Sequence, residues 1–284
     1  MSKYLFILLF CFPLLINAQT ASNLWLFQLK NDKKVKFIKK ITDNSQYDNQ
    51  PVFIGNRIFF TSQDENNTEI KVYDLESGTI SKFTNTPESE YSPSPTPDGQ
   101  FVTTVRVESD GKQRLWNFPI HGGAPILLIP EIEPVGYYTW FNNDYLAMFI
   151  LGEPNTLQIS KSAFQNSTSS TEDKDIGRSI HSLPNHSDQF SYIKNGSPST
   201  VMIYNQGQKS VFAQLPENTT DITWTPNNTL LTGVGSTLLF YSPAKKRWKE
   251  FINLQKMNVI DISRMDVSED GKYLVVVVTT DASR

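Results

Sequence analysis

Cysteine is almost missing from this chain: Cys11 is the single one in 284 residues. It lies inside an apolar run at residues 5–16, which follows Lys3 and leads into Ile16-Asn17-Ala18. That order of a positive start, an apolar stretch and a small-residue site reads as a signal peptide over residues 1–18, cleaved near Ala18. The run is interrupted by Pro13 and is too short for a bilayer-spanning helix. Phe10 precedes Cys11 where lipid attachment would need small residues, so lipidation is not expected. Cleavage then leaves no thiol, which excludes disulfides and cysteine catalysis. A chain of this length buries enough surface to fold without cross-links. No second apolar run is long enough to span, so the mature protein is expected to be soluble, without stable membrane insertion.

An excess of basic charge is also missing. The formal net charge is −3, whereas nucleic-acid phosphates call for clustered Lys and Arg. The local cluster Lys245-Lys246-Arg247 reads as a solvated hairpin turn. Histidine is limited to three residues, His121, His181 and His186, and their spacing matches no zinc site. The chain has no Gly-x-Ser-x-Gly elbow and no phosphate-cradling glycine loop. No cofactor is therefore expected. Two chemistries stay open because sequence spacing does not report on them. One is calcium in a central channel on oxygen ligands such as Asp48 or Glu90; the other is a carboxylate pair for glycoside hydrolysis.

What the chain has is repetition. A unit of about 44 residues recurs six times, at 23–69, 70–113, 114–156, 157–200, 201–237 and 238–284. Each unit opens on a short apolar strand, such as Leu24-Trp25-Leu26-Phe27, Ile70-Lys71-Val72-Tyr73 or Leu238-Leu239-Phe240-Tyr241. Each closes on another, such as Arg57-Ile58-Phe59-Phe60 or Tyr273-Leu274-Val275-Val276-Val277-Val278. Aromatic and β-branched residues suit a pleated, half-buried surface. Turns rich in Asp, Asn and Gly precede the closing strands, with Asp98-Gly99 and Asp270-Gly271 the fullest forms. These residues tolerate the positive φ that tight hairpins need. Units of this length with four short strands indicate an all-β propeller, here six-bladed, as one domain over residues 19–284.

The repeat resembles the TolB-type propeller repeat, read on Thr96-Pro97-Asp98-Gly99, Ser268-Glu269-Asp270-Gly271 and Trp224-Thr225-Pro226-Asn227. Unit one carries the lead-in Tyr47-Asp48-Asn49-Gln50-Pro51-Val52-Phe53, while units three and four follow mainly by spacing. The resemblance implies that the inner strand pair of a blade flanks the Asp-Gly turn. The chain would then start with an outer pair at 23–41 and end with an inner pair at 262–279, the two termini completing one blade together. It also implies an exported protein, periplasmic or secreted, and a binding or scaffolding role rather than an enzymatic one. The expected partner is an envelope protein or a polar small ligand such as a sugar or a peptide, taken up by a monomer.

In that arrangement the connections at 43–50, 87–91, 130–138, 176–181, 216–221 and 257–264 share one face of the disc with those at 63–69, 108–114, 151–155 and 195–200. Asp98 and Asp270 fall on the other face as turn residues. The candidate ligand-binding residues are Tyr47, Asp48, Glu90, Tyr91, Arg114, Tyr138, Glu153, Arg178 and His181. Carboxylates, aromatics and arginines together suit a polar ligand. Taken singly, each reads better as a solvated loop charge or a blade-capping tyrosine, and it is the set that points to a site. Units two to four hold the most elaborate loops and are expected to dominate binding, with units five and six contributing little. The alternative is a hydrolase or lyase for a carbohydrate or small molecule, with Glu90 or Glu153 as acid/base and His181 assisting.

Overall fold

The computed structural model describes residues 21–30, 34–162 and 167–281; the expected signal segment lies outside them. The chain opens with β1 (Asn23–Lys30) and β2 (Lys34–Lys40). Blade one is β3 (Asp48–Ile54), β4 (Arg57–Gln63), β5 (Thr68–Asp74) and β6 (Ile80–Lys82). Blade two is β7 (Ser89–Pro95), β8 (Phe101–Val107), β9 (Gln113–Pro119) and β10 (Ile126–Leu127). Blade three is β11 (Val135–Phe141), β12 (Tyr145–Ile150), β13 (Thr156–Lys161) and β14 (Ser169–Lys174). Blade four is β15 (Ile176–Leu183), β16 (His186–Lys194), β17 (Thr200–Asn205) and β18 (Gln208–Gln214). Blade five is β19 (Ile222–Trp224), β20 (Leu230–Val234), β21 (Thr237–Ser242) and β22 (Arg247–Asn253). The chain ends with β23 (Val259–Val267) and β24 (Tyr273–Thr280). Six antiparallel four-stranded sheets result, a six-bladed β-propeller, and the sixth has the order β2-β1-β24-β23. The termini thus share a blade, with Asn23 opposite Val278 and Gln28 opposite Tyr273.

The turns explain why the repeat is written as it is. Thr96 Oγ1 donates to Asp98 Oδ1 at 2.6 Å and accepts the Phe101 amide at 3.1 Å, while Gln100 N donates to Asp98 at 3.0 Å. Ser268 and Asp270 repeat this in the closing blade, with Ser268 Oγ at 2.7 Å from Asp270 Oδ1 and Tyr273 N donating to Ser268 Oγ at 2.9 Å. The residue between, Gly99 or Gly271, sits at φ +68 or +67, where a side chain would be strained. Hydroxyl, carboxylate and glycine together close the hairpin of the inner strand pair.

The core lies between blades. Along β24, Leu274, Val276 and Val278 pack towards blade five, with Leu231, Leu238 and Leu254. Val275 and Val277 pack the opposite way, against Phe53, Ile58 and Phe60 of blade one. Both faces of the strand are covered, so residues 274–278 read as an unbroken apolar run and each is at most 1 % exposed. Further apolar clusters fill the other interfaces in the same manner. Full burial of each such side chain contributes about 1.5–3 kcal/mol, so closure rests on this packing as well as on the β1–β24 ladder.

The six innermost strands, β3, β7, β11, β15, β19 and β23, surround the channel with one edge unpaired. Neighbouring blades cap those edges with side chains. Asp266 Oδ2 accepts the Phe53 amide at 2.7 Å, Gln50 Oε1 accepts Ser92 N at 2.8 Å, Thr139 Oγ1 accepts Ser182 N at 3.1 Å and Ser179 Oγ accepts Ile222 N at 3.1 Å. Between blades two and three the direction reverses, and the Tyr138 hydroxyl donates to the carbonyls of Ser92 and Thr103.

Blade five meets the closing blade at a point with no spare room. A Cβ added at Gly233 would lie 2.5 Å from the Ile262 carbonyl oxygen. Gly233→Ala is therefore expected to force β20 and β23 apart and cost about 1–3 kcal/mol. At roughly 2–4 °C per kcal/mol for a domain of this size, a thermal melt should show the loss; an unchanged melting temperature would mean that the interface yields freely.

Candidate functional site

The channel holds a cavity of about 140 Å³ whose wall takes residues from every blade. Blade one supplies Gln50, Pro51 and Val52, blade two Ser92, Pro93 and Ser94, and blade three Tyr137, Tyr138 and Thr139. Blade four supplies Arg178, Ser179, Ile180 and His181, blade five Asp221, and the closing blade Arg264, Met265 and Asp266. The innermost strands reach this wall through register irregularities, between Asn49 and Val52 and between Tyr91 and Ser94. Gln50 and Ser92 adopt φ of 53 and 52 at those irregularities. An extra residue there bends the strand and re-aims its side chains, as bulges do.

Asp221 is the hub of the charges. Its carboxylate lies 3.6 Å from Arg264 Nε, 3.9 Å from Arg178 Nε and 3.8 Å from His181 Nε2, and it accepts the Ser179 hydroxyl at 2.9 Å. Burial opposes its ionisation, but the His181 ring and the Arg264 and Arg178 guanidiniums outweigh that and hold its carboxyl below the usual range. Arg264 stacks on the Tyr137 ring at 4.9 Å. Burial works against its charge, and Asp221, with Tyr137 and Tyr47 behind it, keeps the guanidinium firmly protonated. At Asp266 burial dominates and pushes the carboxyl up to about 6 against the pull of the Phe53 amide and of His181. Burial also raises the Tyr47 phenol, which feels Arg264, Tyr137, Arg178 and Tyr91. Those five residues and Asp221 come from six different blades, and Tyr137, Arg178, Asp221 and Arg264 among them line the cavity.

Ser179, His181 and Asp221 touch, yet they do not form a nucleophilic triad. Ser179 Oγ meets His181 Nε2 at 3.0 Å while also donating to Asp221 and accepting the Ile222 amide. The acid approaches the same imidazole nitrogen as the serine, rather than orienting the ring from its other nitrogen. Ser179 is 3 % exposed, so its oxygen is closed to an incoming carbonyl.

Of the nine residues expected from the sequence, Tyr138, Arg178 and His181 line the cavity. Tyr138 has its hydroxyl engaged by backbone, so it offers a ring edge only. Tyr47 and Tyr91 do not line the cavity, but Tyr47 lies near enough to Arg264, Tyr137, Arg178 and Tyr91 to feel their charges. Asp48 does not line the cavity; it is buried and accepts Ser62 Oγ at 2.5 Å and Asn44 Nδ2 at 2.8 Å. Glu90 is fully buried between blades one and two, against Arg106, Thr86 and Glu69. Arg114 forms a two-pronged pair with Glu108, which also takes the Trp116 indole N–H. Glu153 is exposed on the loop between β12 and β13. Glu90, Glu153 and His181 therefore do not share a pocket. Residues 176–181 are strand rather than loop: one residue, Asp175, separates β14 from β15. Glu90, Tyr91, Tyr138 and Arg264 likewise lie on innermost strands. Asp221, Arg264 and Asp266 bring charge from the fifth and closing blades, where the sequence offered only short loops. Asp221 and Arg264 stand at the ends of two expected connections, and nothing local marks them as partners. Among the described residues, no group of three or more His, Cys, Asp or Glu is placed to hold a metal ion.

No protein-family model matches the chain, and no curated protein does. Solved structures do. A candidate TolB protein from Agrobacterium tumefaciens superposes with a TM-score of 0.72 at 10% identity, over 93% of this chain and 99% of that one. TolB from Acinetobacter baumannii gives 0.57 at 13% identity, over 90% and 63%. A candidate gluconolactonase gives 0.60 at 10% identity, over 84% and 91%. The fold is that of a TolB-like β-propeller, as the repeat implied.

Glu90 offers a test of the scaffold around the site. Burial lifts its carboxyl from an ordinary 4.5 to about 8, opposed by the Thr86 hydroxyl and helped by Glu69. Between those values the folded chain holds a proton that the unfolded chain has lost, so stability falls as pH rises through that window and levels off above it. Glu90→Gln mimics the protonated acid and should remove this slope. Relative to the parent it should gain on the order of a few kcal/mol at pH 8–9, since each tenfold difference in proton affinity is worth about 1.4 kcal/mol. Denaturant melts across the window check this; parallel pH profiles for the two proteins would show that Glu90 ionises freely.

Proposed function

We propose that this is an exported, non-enzymatic TolB-like propeller that binds a polar ligand or a segment of a protein partner at the mouth of its channel. The export part rests on the N-terminal run at residues 5–16 and its small-residue site, and it puts the protein in the periplasm or outside the cell. No described helix is long and apolar enough to cross a membrane. The binding part rests on one observation. Tyr47, Tyr91, Tyr137, Arg178, Asp221 and Arg264, one from each blade, converge in one cluster. Tyrosine offers contact area at little entropic cost, and arginine grips a planar anion through two donors.

A hydrolase or lyase is the second reading. Its support is Asp266, a channel acid that burial lifts to about 6 within the field of His181, together with the likeness in fold to a candidate gluconolactonase. It predicts turnover of a carbohydrate or lactone that Asp266→Asn abolishes while melting stays close to the parent's.

For the binding reading, the informative variant is Arg178→Ala. The Arg178 side chain is 34% exposed and Asp221 keeps Arg264 as a counter-ion, so the ring should survive the change. A partner or ligand recovered from envelope extracts should bind this variant about 2 kcal/mol more weakly, with little change in melting. A melting temperature lower by several degrees with binding intact would make Arg178 an inter-blade tie instead.

A further inference from the structure

Two guanidiniums share a single close counter-ion in the channel, and that imbalance defines what else fits there. Asp221 meets Arg264 and Arg178 most closely through Nε, at 3.6 and 3.9 Å, which is ion-pair distance without a short hydrogen bond. Among the described residues, Arg178 Nε is buried without a hydrogen-bond acceptor, and Arg178 Nη2 donates to the Thr220 hydroxyl at 3.2 Å. The Nε edge is turned towards Asp221 and closed to solvent, so a planar oxyanion would meet the Nη groups of a side chain that is 34% exposed. Counted at these three groups, the site carries one positive charge in excess. Pro51, Pro93 and the Tyr137 ring stand around it, and a partly dry wall strengthens any charge that enters.

Resting on the binding reading above, we propose that the group seated in this channel is a singly charged carboxylate, held by Arg178 and Arg264 beside Asp221. One negative charge matches the excess of these three groups, whereas a phosphate dianion exceeds it; Asp266 lines the same cavity and repels either anion, the doubly charged one more strongly. The size agrees, since about 140 Å³ admits a carboxylate and the few atoms next to it, with the remainder of the ligand outside. Tyr47 and Tyr91, beside these groups, would meet that remainder. A sugar acid and the free C-terminus of a peptide both present this chemistry.

Titration calorimetry on the folded chain separates the cases. The probes are D-glucuronate against D-glucose, N-acetyl-Ala-Ala against its C-terminal amide, and inorganic phosphate. At least one carboxylate should bind, its neutral counterpart at least about tenfold more weakly, and phosphate no better than that counterpart. Glucuronate alone points to a sugar acid, and the free dipeptide alone to a chain terminus. Arg178→Gln should abolish the carboxylate signal. Asp221→Asn removes the internal anion and should strengthen phosphate binding by about tenfold; if that variant melts early, the paired probes on the parent protein decide alone. The proposal is overturned if acid and neutral probes bind alike, if phosphate matches the carboxylate, or if no carboxylate binds. Neutral probes that bind and respond to Arg178→Gln would sink it while leaving the wider binding reading intact.

Discussion

Everything in this propeller depends on how the free inner edges of six sheets are satisfied. The innermost strand of each blade pairs on one side only, and its other edge meets the channel. A buried, unpaired amide costs about as much as a lost hydrogen bond, so six such edges around one axis would be unstable if the channel were apolar. The molecule answers with polar side chains from the preceding blade: Asp266 for Phe53, Gln50 for Ser92, Thr139 for Ser182 and Ser179 for Ile222. The axis is therefore polar for structural reasons, before any ligand is considered. It also couples blades that the apolar clusters join further out, and the shared terminal blade makes the coupling circular.

Charge enters on top of that requirement and has to be offset. Arg264 has a side chain only 12% exposed and Asp221 one only 9% exposed, so each would lose several kcal/mol of hydration if left alone. Their proximity offsets the loss for one charge of each sign. The second guanidinium, Arg178, keeps more of its water, which makes an unbalanced cluster tolerable at the mouth of the channel. At the interface of blades one and two the problem is solved the other way. There Glu69 and Glu90 lie together, and Glu90 retains its proton instead of finding a full counter-charge, although Arg106 is 3.3 Å away. Asp221 and Glu90, both buried, are thus shifted in opposite directions, Asp221 down beside its cations and Glu90 up through burial.

The architecture was legible because its signals are local. The Thr96–Asp98–Gly99 and Ser268–Asp270–Gly271 turns are closed by hydrogen bonds within a few residues, and the five-residue apolar run of β24 announces a strand covered on both faces. The phase of those turns was enough to show that the termini meet. The channel was far less legible. Its strands carry Pro51 and Pro93, and left-handed residues at Gln50 and Ser92, so they lack the alternation of a half-buried strand and look like loops. Arg178 and His181 stood out through the unusual stretch around them. Asp221 and Arg264 did not, because their significance lies in a contact between blades that only ring closure creates.

That distinction also separates scaffold from site. Asp266, Gln50, Thr139 and Ser179 each cap a backbone amide, so the fold alone accounts for their polarity. Arg178, Arg264 and Tyr137 cap none. Asp221 accepts Ser179, which serves the fold, but a neutral acceptor would meet that need without requiring two guanidiniums around it. Replacing such charges by apolar groups of similar volume is often neutral or stabilising in proteins. Stability therefore gives no reason for this cluster to exist at the one place where all six blades converge. The groups that the scaffold does not need are those that face the opening, and it is there that the channel acquires a chemical preference.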